Sequence, residues 1–103
     1  MKSIRMADLS GPDWTGPTYT GIGNAAVKLR WIDSAFRWHR NVGPELFFVL
    51  DGKIDMHVRP APGGNVTIAR LRTGEGVWIE DGQEHVAYPD GPARVLVVER
   101  DDR

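Results

Sequence analysis

The sequence predicts an all-β fold built as one domain, a sandwich or a closed barrel. Three observations carry that prediction. No stretch repeats apolar residues at i, i+3, i+4 and i+7 over the length a stable helix needs. Twelve glycines and seven prolines cut the chain into short apolar pieces. Those pieces recur at even spacing between turn signals, the pattern of short strands whose closure removes edges that would otherwise aggregate. The 103 residues, 41% hydrophobic and 26% charged, supply one core and not two.

Taken in order, residues 1–24 read as an N-terminal arm and residues 25–103 as the barrel. Within the arm, Gly11-Pro12-Asp13-Trp14-Thr15-Gly16-Pro17 is irregular, and Trp14 on a free loop would waste apolar surface, so the arm is expected to lie over the barrel or a partner subunit. Strands are expected at 26–32, 36–41, 45–50, 53–58, 66–71, 76–79, 85–88 and 94–99. The breaks are the 60–65 loop with two prolines and two glycines, Thr73-Gly74, Asp90-Gly91-Pro92 and Asp51-Gly52. Only Asp51-Gly52 separates two of the strands, which predicts a tight hairpin.

A net charge of −1 and an isoelectric point near 6.3 give none of the positive field a nucleic-acid binder uses, so a small ligand is expected and no nucleic acid. The absence of cysteine removes disulfides, thiolate metal sites and thiol nucleophiles, leaving His, Asp, Glu and amide oxygens as possible metal ligands. No apolar run approaches a membrane span of roughly 20 residues or forms a leader, and the expected location is the cytoplasm.

Chemistry concentrates in Trp38-His39-Arg40-Asn41-Val42-Gly43-Pro44-Glu45, which runs directly into Leu46-Phe47-Phe48-Val49-Leu50. Titratable groups beside a buried segment are costly unless something pairs with them, and a metal ion is one such partner. Alternation places Arg37, His39 and Asn41 on one face of their strand, with Phe36 and Trp38 on the other. If Glu45, Phe47 and Val49 share the interior face of the next strand, His39 and Glu45 converge in a barrel mouth. Periodicity alone does not bring His85 to them.

These segments resemble the cupins, small barrels of the jelly-roll or double-stranded β-helix type. Their first motif, G-x5-H-x-H-x3-E-x6-G, falls on Asp33, His39, Asn41, Glu45 and Gly52 without a gap. The second, G-x5-P-x-G-x2-H-x3-N, falls on Gly74, Glu80, Gly82, His85 and Pro89. The resemblance implies a jelly-roll barrel whose metal set would be His39, Asn41, Glu45 and His85, holding one divalent ion of iron, manganese, nickel or zinc. Asn41 stands where the family has histidine; the remaining two histidines and one carboxylate match the ligand count of iron(II) oxygenases. The implied function is a metal-dependent enzyme on a small organic substrate, of isomerase, lyase or dioxygenase type. The alternative is a non-catalytic binder of a small molecule or sugar, favoured by Asn41 and by Glu80 in the motif's proline position.

Further candidates are weaker. Glu84 and Tyr88 flank His85 and could act as acid or base, although a glutamate beside a turn is more often solvated. Arg37 could hold a ligand's carboxylate or phosphate, and a surface ion pair explains it equally well. His57 alternates against Ile54, Met56 and Val58 and reads as a surface residue. Phe47, Val49, Ile54 and Met56 are expected to wall the cavity. Trp31, Trp38 and Trp78 read as core and interface residues. Strand 45–50 is apolar on both faces, and with Trp14 this favours a homodimer.

Overall fold

A computed structural model describes residues 1–101, which form two antiparallel sheets packed face to face. The strands are β1 (Thr18–Ile22), β2 (Ala25–Ile32), β3 (His39–Arg40), β4 (Glu45–Asp51), β5 (Lys53–Arg59), β6 (Thr67–Arg72), β7 (Gly76–Ile79), β8 (Glu84–Pro89) and β9 (Ala93–Arg100). One sheet runs β1-β2-β9-β4-β7 and the other β3-β8-β5-β6. Among the described residues the sole helical element is the short 3-10 turn Met6–Asp8, and no helix is long and apolar enough to cross a membrane.

From β2 onward the chain changes sheet at every connection except β5 to β6. This alternation is what rolls the two sheets into a barrel, and it overturns the hairpin expected at Asp51-Gly52. There β4 leaves for β9 and β7, while β5 pairs with β6 and β8. Asp51-Gly52 does make a tight reversal between β4 and β5, but a local pattern does not say whether two strands reverse within a sheet or across a corner. Gly52 makes that corner with φ of 106°, and a Cβ there would lie 2.9 Å from Ala93 Cβ, so a side chain is excluded by both conformation and space.

Between the sheets lies a solid core of Ile32, Phe47, Val49, Ile54, Met56, Ile79 and Val95 with their neighbours. Each such side chain contributes about 1.5–3 kcal/mol on burial. On β4 the alternation holds as expected: Glu45, Phe47 and Val49 point inward and are buried, while Leu46, Phe48 and Leu50 are half-buried on the outside.

Other expectations are adjusted. Only His39–Arg40 of the strand expected at 36–41 pairs, because β8 is the single neighbour available to it. The expected arm contains a strand, β1, which joins the edge beside β2 with an irregularity between Thr20 and Ile22. Its polar sequence Thr-Tyr-Thr-Gly-Ile suits an edge and carried no apolar signal. Trp31, Trp38 and Trp78 stay out of the core: Trp38 is capped by the Arg59 guanidinium 4.0 Å above its ring, and Trp78 is 60% exposed on the outer face.

Candidate metal centre

His39 and His85 are directly opposed on the β3–β8 ladder, so their side chains leave the same face of the smaller sheet. Glu45, the first residue of β4, approaches from the facing sheet. One donor atom from each of the three lies within 4.8 Å of the others. His85 Nε2 is 3.3 Å from Glu45 Oε1, and the two imidazole centroids are 4.1 Å apart.

The ring nitrogens test whether these residues suit an ion. His39 Nδ1 lies 2.9 Å from the Arg37 carbonyl, which can only accept, so Nδ1 carries the proton and Nε2 keeps its lone pair. His85 is 2% exposed; its Nε2 meets the Glu45 carboxylate at 3.3 Å without satisfying hydrogen-bond geometry, and its Nδ1 has no partner. A buried polar atom left this way costs about 1–3 kcal/mol, and a coordinated ion would remove that cost at the nitrogen that binds it. Two imidazoles and a carboxylate form a donor set suited to iron, manganese, nickel or zinc.

Electrostatics around Glu45 extend the site. Glu99 faces Glu45 across the β4–β9 ladder, a like-charge pair that needs a bridge. Asn41 is that bridge: its Nδ2 amide donates to Glu45 Oε1 and, at 2.9 Å, to Glu99 Oε2, while Lys28 Nζ donates to Glu99. Burial raises the pKa of Glu45, but His85, Glu99 and His39 more than reverse this, so its carboxyl stays ionised. Burial, with the neighbouring Glu45, pushes Glu99 up despite Lys28. Burial also pushes His39 down, which favours the neutral, metal-ready ring.

A cavity of about 150 Å³ opens beside the three donors. Phe47, Ala87 and Val97 line its apolar depth, Trp14 and Phe36 form one side, and Lys28 and Glu99 stand on another. Of the walls expected from sequence only Phe47 takes part; Val49, Ile54 and Met56 belong to the filled core.

Of the residues singled out from sequence, His39, Asn41, Glu45 and His85 are brought together, with Asn41 turned to the two carboxylates. Glu84 instead pairs with Arg59 at 2.9 Å, and exposed Tyr88 packs on His57 with the rings tilted by 56° and their centroids 4.5 Å apart. Arg37 is exposed, its guanidinium 4.9 Å from the Phe36 ring centre. None of these three lines the cavity. Sequence reasoning passed over Lys28, Glu99, Trp14 and Phe36. The first two had a signal, since Lys28 shares the parity of buried Ala26 and Ile32 and Glu99 that of buried Val95 and Val97. Phe36 had a misleading one, because alternation does not apply to the unpaired residues before β3.

No protein-family profile matches the chain, and no curated protein matches it. Solved structures do. A cupin-2 domain protein of Shewanella frigidimarina superposes with a TM-score of 0.78 at 22% identity, covering 94% of this chain and 93% of that one. Hydroquinone 1,2-dioxygenase of a Sphingomonas species, with 4-hydroxybenzoate bound, gives a TM-score of 0.78 at 19% identity over 90% of this chain, which spans only 29% of that enzyme. Hydroxypropylphosphonic acid epoxidase of S. wedmorenis gives 0.64 at 21% identity over 74% of this chain and 43% of its own. Two sheets rolled around a mouth with inward histidines and a carboxylate define a jelly-roll barrel. The chain has the cupin fold.

Proposed function

We propose that the protein is a metal-dependent enzyme acting on a small organic compound, with one divalent ion held by His39, Glu45 and His85. The observation that carries this reading is the buried His85 imidazole, without a well-formed hydrogen bond at either nitrogen and with one donor atom within 4.8 Å of those of His39 and Glu45, at the end of a cavity. Bound there, the ion would supply Lewis acidity toward a ligand oxygen and, as iron(II), a site for dioxygen.

The chain's own residues supply the rest. The Arg37 carbonyl fixes the His39 tautomer, Asn41 holds the Glu45 carboxylate in place, and Phe47, Ala87 and Val97 exclude water from the inner end of the cavity. Glu99 lines the same space and is the carboxyl in position to exchange a proton with a bound compound. The dioxygenase and epoxidase among the similar structures support the class without fixing the reaction.

A binder without catalysis is the second reading. It is favoured by Asn41, whose donors are directed at carboxylates and which supplies no fourth imidazole. The two separate on purified protein. The enzyme reading expects close to one equivalent of divalent metal per chain, lost in Glu45→Ala together with turnover of whatever compound the native protein converts; metal-free protein that refuses iron(II), manganese, nickel and zinc would overturn it.

We also propose a homodimer through the outer face of the larger sheet. There the register lines up Trp78, Leu46, Val98, Val27 and Tyr19 across all five strands, a row without a charge. A second copy presenting the same row would cover it.

A further inference from the structure

Four rings stand in sequence along one side of the cavity. Trp14 and Phe36 have centroids 5.5 Å apart, Phe36 and His39 5.8 Å in an edge-on contact, and His39 and His85 4.1 Å. The last two serve the metal centre; the first two have no part in it. Trp14 is held there against backbone preference. Its φ is +60°, at the third position of a turn closed by the Thr15 amide donating to the Pro12 carbonyl at 3.2 Å, where glycine is the usual residue. Its indole Nε1 donates to the Ser34 carbonyl at 2.9 Å, and neighbouring Asp13 accepts from the Asp33 amide and the Ser34 hydroxyl, so arm and 33–36 loop present both rings as one wall.

Volume and charge narrow the occupant. About 150 Å³ is the size of cavity known to hold one benzene ring. The cations at the mouth are committed elsewhere: Lys28 donates to Glu99, and Arg30 donates to the Gly16 and Pro17 carbonyls and to Thr18 Oγ1. A phosphate or sulfonate would find no open charge there. We infer that the cavity takes a monocyclic phenol, its ring against Trp14, Phe36 and Phe47 and its oxygen toward His39, Glu45 and His85. Only the placing of the oxygen rests on the metal reading; the ring site stands on the aromatic wall.

The test is calorimetric titration of phenol and of cyclohexanol, a saturated ring of similar size, into zinc-loaded and chelator-treated protein, with zinc uptake measured separately. Phenol should bind about three- to tenfold more tightly than cyclohexanol in both preparations, the range aromatic pairing supplies. Phe36→Leu, at a position 47% exposed and with its fold checked by circular dichroism, should remove that preference while leaving zinc uptake unchanged. Equal affinities for the two rings, no measurable phenol binding, or an unaltered preference in Phe36→Leu would each overturn the inference. Failure to take up zinc with the phenol preference intact would sink the metal reading and leave the ring site standing.

Discussion

His39 and His85 face one another across a strand pair of one sheet, and the carboxylate that completes their cluster, Glu45, belongs to the other. An ion held by all three would therefore tie the two sheets together at the barrel mouth. Binding to the folded state alone at a hundredfold excess over Kd contributes about 2.7 kcal/mol. For a domain of this size that corresponds to a rise in Tm of roughly 10–20 °C. Thermal unfolding with and without zinc should show the rise in native protein and none in His85→Ala.

Asn41 separates two carboxylates, so its near-isosteric replacement is informative. Asn41→Asp would exchange two charge-assisted hydrogen bonds for a third negative group between Glu45 and Glu99. A loss of about 3 kcal/mol or more is expected, read as a lower urea midpoint. A bound divalent ion should recover part of it.

Acid should weaken the metal-free protein through His39. Burial holds its folded pKa below the ordinary 6.5, so the unfolded chain accepts a proton that the folded one refuses. The contribution is complete above 6.5 and is lost as pH falls from there through the folded value. Glu99 acts oppositely: its folded pKa lies above 4.5, so its ionisation costs stability at higher pH and the cost fades as pH falls toward 4.5. Urea midpoints of the chelated protein should drop as pH falls below 6.5, and His39→Gln should flatten that drop.

The arm rests on β2 through a contact only glycine permits. A Cβ on Gly16 would lie 1.9 Å from the Leu29 carbonyl oxygen. Gly16→Ala should lift the segment that carries Trp14, red-shifting its fluorescence and exposing residues 10–17 to protease, while the core strands keep their circular dichroism. Because Trp14 packs on the core as well as on Phe36, a cost of about 1–3 kcal/mol is expected.

On the outer face, Phe48 lies beside Leu96, two residue pairs along the ladder from the Leu46–Val98 contact. If two copies pair through this face as proposed, the native chain should sediment as a dimer at micromolar concentration and Phe48→Glu as a monomer, with zinc affinity unchanged.

Much of the fold was readable because period-two alternation is a short-range signal: Glu45, Phe47 and Val49 point inward as the pattern demands. Sheet membership was not, and Asp51-Gly52 shows why. One tight turn serves a hairpin or a corner, and the choice depends on partners such as β9, some 40 residues away in sequence. The same distance hid half of the site. His39 and Glu45 are six residues apart in the chain, and motif spacing added His85, but Lys28 and Glu99 arrive on β2 and β9, 71 residues apart in sequence and paired only in the folded sheet. Trp14 arrives on a segment with no periodicity at all.

The central claim is that His39, Glu45 and His85 share one ion. The most direct measurement is an anomalous difference map from crystals of the zinc- or nickel-loaded protein. A single peak about 2.0–2.3 Å from one imidazole nitrogen of each histidine and from a Glu45 oxygen is predicted. A peak held by other residues, or an empty position between these three with the ion in excess, would contradict it.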